Sequence, residues 1–143
     1  MILLDTDHAS VLKYRDTERC RRLVARLATV VDEVVGTTII TIEEQMRGWL
    51  ASIAKERQAR RQIVPYRELT GLFDFYSLYE ILPFDEKALA VFDRFTGIHI
   101  GTMDRKIAAI AIVNDALLLT ANRHDYEQIP GLRFENWMDE PLT

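Results

Sequence analysis

Carboxylates stand at four points of this 143-residue chain where apolar runs end or helical runs begin. Asp5 closes LLD, Glu43 and Glu44 follow TIIT, Asp104 lies in GTMDRKIAAIAI, and Asp125 follows LLLTANRH. In an alternating strand–helix chain, such positions meet at the carboxyl edge of a parallel sheet, where open α/β folds bind their ligands. Several carboxylates in one crevice repel one another, so they require bound protons or a cation. An all-oxygen ligand set suits a hard divalent ion such as Mg²⁺. These residue types in this arrangement point to a carboxylate metal site with hydrolytic chemistry.

The elements that must position these acids are legible in outline. Ile2–Leu4 reads as a short buried strand. Thr17 is placed to cap a helix running to about Asp32, with Leu23, Val24, Leu27, Val30 and Val31 on one stripe. Val34–Thr41 is β-branched and broken only by Gly36, hence a strand. Ile42, Met46, Trp49, Leu50 and Ile53 then recur at helical spacing toward the basic KERQARR stretch. Pro65 marks the start of a helix carrying Leu69, Leu72, Phe73, Tyr76 and Tyr79. Glu80–Phe84, containing Pro83, fits an edge strand or irregular chain. Asp85 caps a helix with Ala88, Leu89, Phe92 and Phe95. After a loop at Gly97–Gly101, Met103 to about Asn114 forms a helix apolar on most sides, hence buried. Ala116–Thr120 is a strand, His124–Ile129 a short helix and Leu132–Phe134 a last strand. The alternation predicts one domain over residues 1–143, a three-layer α/β/α fold with a mostly parallel central sheet.

Composition limits the function classes. Apolar residues make up 48% and charged residues 28%, ordinary for a globular domain with its own core. The single cysteine, Cys20, excludes an internal disulfide and a cysteine-based zinc cluster, and its expected place is a small apolar position on a helix. With no apolar leader and no span longer than Ile107–Val113, the expectation is a soluble, cytoplasmic protein with no membrane partner. The net charge of −4 argues against a general nucleic-acid coating protein. Arginines nevertheless cluster at Arg19, Arg21, Arg22 and Arg26, and again with Lys55 at Arg57, Arg60 and Arg61. Solvated helix faces are the simpler reading of both clusters.

The blocks LLDTDHAS, TTIITIEEQMRG, GTMDRKIAAIAI and LLLTANRHDYEQIPGLRFENW resemble the PIN domain family, and most of all the VapC toxins of bacterial toxin–antitoxin pairs. The resemblance runs from Ile2 to Trp137. It implies an endoribonuclease dependent on Mg²⁺ or Mn²⁺, with one or two ions held by Asp5 and Asp104. Thr41 and Gly48 fit the family pattern that selects Glu44 as a further catalytic acid, and Asp125 is the fourth. Thr120 and Asn122 match a supporting turn. The resemblance also implies a structured RNA substrate such as transfer RNA, a cognate antitoxin and a homodimer.

Two positions stay open. A helical wheel through Ile42, Met46, Trp49 and Ile53 puts Glu43 nearer the buried face than Glu44. Asp7 stands where these toxins more often carry asparagine, and is expected to cap a helix starting at His8, although it could instead tighten the metal site. His8, His99 and His124 are expected at the surface or the crevice rim. The competing enzyme reading is an aspartyl-phosphate phosphatase of the haloacid dehalogenase type, with Asp5 as nucleophile and Asp7 as general acid. The competing non-enzymatic reading is a PIN-like binding scaffold.

Overall fold

The computed structural model describes residues 1–15 and 17–140. Its strands are β1 (Ile2–Leu4), β2 (Val35–Thr38), β3 (Glu80–Leu82), β4 (Leu117–Leu119) and β5 (Arg133–Glu135). They form one sheet in the order β3-β2-β1-β4-β5, with every neighbouring pair parallel. The helices are α1 (Thr6–Tyr14), α2 (Glu18–Leu27), α3 (Ile39–Lys55), α4 (Ile63–Tyr76), α5 (Glu86–Phe92), α6 (Thr102–Val113) and α7 (Arg123–Tyr126). A 3₁₀ turn at Ala59–Gln62 precedes α4.

The two-residue alternation of a strand divides the core. Leu3 and Leu118 face one side, packing with Ala88 of α5 and Ile107 to Ala111 of α6. Ile2, Leu4 and Leu119 face the other, packing with Ala9 and Leu12 of α1, Leu23 of α2 and Leu72 and Tyr76 of α4. Each such leucine, fully removed from water, contributes about 1.5–3 kcal/mol. The expected three layers are present, and the sheet is parallel throughout.

Boundaries moved where local chemistry competed with pattern. The β2 strand ends at Thr38 rather than Thr41, because the Thr38 hydroxyl accepts the Thr41 N–H at 3.1 Å and starts α3 at Ile39. Asp5, rather than Asp7, caps α1 by accepting the Thr6 N–H at 2.8 Å, so the helix begins two residues before His8. The second helix stops at Leu27, five residues short of Asp32, and α4 opens at Ile63, just before Pro65. The β3 strand is an edge strand that ends before Pro83. Gly36 is explained by crowding: a Cβ there would stand 2.6 Å from the Glu80 carbonyl oxygen on the neighbouring strand. Cys20 is buried on α2, as expected.

The chain runs outward from β1 through β2 to β3, then crosses back to place β4 on the other side of β1. The topological switch therefore lies between β1 and β4. Crevices open at such points, beyond the carboxyl ends of the strands.

Candidate active site

Asp5 follows β1 at the switch point and is buried, although it is ionisable. It is held there by two donors. The Thr6 N–H reaches its Oδ1 at 2.8 Å, and the Thr120 hydroxyl donates to its Oδ2 at 2.8 Å. Burial, followed by repulsion from Asp7, pushes its carboxyl up to about 7.

Asp104 lies in the first turn of α6 and is half-buried. Tyr126 donates its hydroxyl to Asp104 Oδ1 at 3.2 Å. Desolvation raises the Asp104 carboxyl above its ordinary range; the Tyr126 bond opposes it, and Asp125 and Asp7 add repulsion. The Tyr126 phenol is raised as well, by its own burial and then by Asp5 and Asp104. The turn after β4 supplies the remaining parts. Thr120 Oγ1 accepts the Asn122 N–H at 3.1 Å, and the Asn122 amide donates to Asp125 Oδ2 at 3.1 Å.

The two glutamates of α3 part company. Glu43 pairs with Arg47 at 2.6 Å, one helical turn on. Glu44 turns toward Asp104, and desolvation, Asp104 and Glu43 together raise its carboxyl. Its Oε1 is buried without a hydrogen-bond partner, and so is the hydroxyl of Thr6, which approaches Glu44 closely enough only to temper that shift. Glu44 and Asp104 line a cleft of about 430 Å³ with Arg47, Gly101, Thr102 and Met103. A larger cavity of about 620 Å³ lies behind the turn, bordered by Thr120, Ala121, Arg123 and Glu135.

Asp7 differs from its neighbours. Burial would raise its carboxyl, but donors from His8 and the Ala121 N–H outweigh burial and hold it below the usual range. Both Asp7 oxygens are engaged, one with His8 Nδ1 and one with the Ala121 N–H, which argues against the general-acid role of the phosphatase reading.

Sequence reading missed His8. The expected surface or rim position is wrong: the ring is fully buried, bonded to Asp7 and to the backbone of Trp137. The available signal was spacing. His8 stands four residues before the buried Leu12 on α1, hence on its inward face. Tyr126, next to Asp125 in the chain, was likewise assigned no role from sequence, yet it donates its hydroxyl to Asp104.

The four carboxylates Asp5, Glu44, Asp104 and Asp125 fit a divalent cation in kind. Raised carboxyls on Asp5, Glu44 and Asp104 mark places where positive charge would be stabilising, and Glu44 Oε1 offers an uncommitted lone pair. Among the described residues, no three acidic, histidine or cysteine side chains close tightly enough to hold an ion by themselves. An ion here would draw on few protein oxygens and keep much of its water, as Mg²⁺ commonly does.

An all-parallel sheet with acids gathered at its switch point defines an open α/β protein with a carboxylate-lined crevice. More particularly, the chain belongs to the PIN domain family, whose profile matches residues 2–132. The tRNA(fMet)-specific endonuclease VapC of Salmonella typhimurium is 29% identical over 85 residues, covering 55% of this chain and 64% of that protein's length. A chain of the DNA-bound VapBC structure from the same organism superposes with a TM-score of 0.72 at 25% identity, covering 96% of this chain and 99% of its own. VapBC-1 from nontypeable Haemophilus influenzae shares the fold, with a TM-score of 0.73 at 22% identity over 97% of this chain and 100% of its own. Among the described residues, no helix is long and apolar enough to cross a membrane.

Proposed function

We propose that this protein is a divalent-metal-dependent endoribonuclease and the toxin of a toxin–antitoxin pair. The observation that carries the reading is the convergence of Asp5, Glu44 and Asp104, each with a raised carboxyl, at the switch point of a PIN-domain sheet. Asp5 and Asp104 would hold Mg²⁺ or Mn²⁺ directly, with Glu44 and Asp125 acting through water. Such an ion supplies Lewis acidity that activates a water nucleophile and offsets charge on the phosphate.

The chain's own groups do the rest. Thr120 and the Thr6 N–H fix the Asp5 carboxylate by its two oxygens. Tyr126 orients Asp104, and Asn122 orients Asp125. Arg47, paired with Glu43, borders the Glu44–Asp104 cleft. The substrate is structured RNA of the transfer-RNA kind, which the VapC relative supports by its name. A cognate antitoxin and a homodimer complete the assembly, and the VapBC complexes among the similar structures support the antitoxin.

Purified protein freed of antitoxin is expected to cut RNA with Mg²⁺ or Mn²⁺ and to stop in chelator. Cutting in excess chelator would remove the metal mechanism. Absence of cutting with either ion across transfer RNAs would favour a non-catalytic scaffold.

A further inference from the structure

Asp7 and His8 form a cluster that the hydrolysis itself does not use. The Nε2 of His8 accepts the Trp137 N–H at 3.1 Å. An accepting ring nitrogen carries no proton, so the ring's hydrogen sits on Nδ1. That N–H donates to Asp7 Oδ1 at 2.6 Å. The other Asp7 oxygen accepts the Ala121 N–H at 2.8 Å. Thr120 Oγ1 also lies 3.5 Å from it, but its one proton goes to Asp5. A continuous path of polar bonds thus runs from the segment after β5, through α1, to the turn after β4. That turn carries Thr120, which holds Asp5, and Asn122, which holds Asp125.

Building on the nuclease reading, we propose that Asp7 is a positioning residue outside the metal's ligand set, and that the buried His8 makes its carboxylate obligatory. The pair clamps the Thr120–Asn122 turn against α1 and so aims the side chains that orient the catalytic acids.

The polarity of the path explains the requirement. Position 7 faces two N–H donors, from His8 and Ala121, and a carboxylate accepts both. Asparagine has one acceptor and one donor. With its oxygen toward Ala121, its amide hydrogens meet the Nδ1–H of His8. Turned over, they meet the Ala121 N–H instead. Moving the His8 proton to Nε2 only transfers the clash to Trp137. One bond is lost in every arrangement while His8 is present. Without His8 the demand disappears, since the Asp7 side chain is 32% exposed and water can take the amide.

The test is a double-mutant cycle read by kinetics and by ¹⁵N magnetic resonance. Asp7→Asn should lower kcat about 10- to 100-fold, as loss of a group orienting metal-site residues does, with KM little changed. In a His8→Leu background, the same replacement should change kcat by less than about twofold, the sign of full coupling. In the wild type, His8 should show a protonated Nδ1 and an unprotonated Nε2, and the Ala121 amide should exchange faster once Asp7 is replaced. A protonated Nε2 with a bare Nδ1 would overturn the proposal, as would equal losses in both backgrounds or full activity in Asp7→Asn. If His8→Leu does not fold, the tautomer and the Ala121 exchange decide the matter alone. Should the protein cut no RNA, the nuclease reading fails separately, because those two measurements need no catalysis.

Discussion

Two pairs of acids border the crevice, and each divides in the same way. At the β1–α1 junction, Asp5 is desolvated and raised, while Asp7 is held ionised by His8 and Ala121. In the first turns of α3, Glu44 is desolvated and raised, while Glu43 is taken by Arg47. Neighbours in sequence thus end with different partners. Asp5 is buried so deeply that its two donors do not offset desolvation, whereas the donors on Asp7 do, and on α3 it is Glu43 rather than Glu44 that reaches Arg47. The arginine clusters teach a related lesson. Arg19 and Arg21 are matched with Asp139 and Glu18, whereas Arg26 keeps its charge and lies over the Trp137 ring.

The largest effect should come from removing a raised acid. Asp5→Asn or Asp104→Asn is expected to lower RNA cleavage by more than about 100-fold, beyond the loss typical of a supporting residue. Circular dichroism should remain that of the wild type. Near-normal cutting by either variant would erase the distinction between the raised acids and their partnered neighbours.

A sharper form of the comparison uses α3 alone. Glu44→Gln should lose most activity, and Glu43→Gln little. The Glu43–Arg47 pair is solvent-exposed at i, i+4 spacing, which contributes only about 0.3–0.5 kcal/mol to stability. Kinetics of the two variants at saturating metal would decide it. A reversed ranking would mean that Glu43 leaves Arg47 and enters the site when substrate binds.

The sequence revealed the layers, the parallel sheet and the sheet edge where the acids gather, because hydrophobic periodicity and element ends are local signals. Asp104 fell in the first turn of a buried helix, as Ile107–Val113 indicated. The partners were illegible for a physical reason: they come from distant segments. Nothing near Asp7 announces Ala121, 114 residues on, and nothing near His8 announces Trp137, 129 residues on. The cap of α1 was misread because Asp5 and Asp7 are both good capping residues, and strand pairing chose between them. Asp5 N–H donates to the Leu119 carbonyl at 3.0 Å, which carries the β1–β4 pairing up to the helix start.

The smallest effects, and the most direct on the electrostatics, are in stability. Burial and repulsion from Asp7 push the folded Asp5 carboxyl up to about 7, against 3.8 for the free side chain. Between those values the folded state keeps a proton that the unfolded state has released. Stability of the metal-free protein therefore falls as pH rises from about 4 to 7, by on the order of 3–4 kcal/mol for Asp5 alone. Glu44 and Asp104, also raised, act in the same direction. Asp7 is depressed, so its contribution is present above 3.8 and is lost only as pH falls through its lower folded value, outside this window. Thermal melts in chelator should then show a higher Tm at pH 5 than at pH 8. At pH 8, Asp104→Asn should melt at or above the wild type, since it removes one of several mutually repelling charges. Added Mn²⁺ stabilises a protein by an amount set by its concentration relative to Kd, so the wild type should gain more than the variant, and their order can reverse. A wild type indifferent to millimolar Mn²⁺ would show that the raised acids do not share a cation. A clearly lower Tm for Asp104→Asn in chelator would show that Asp104 serves the fold, through Tyr126 and the first turn of α6, more than it strains it.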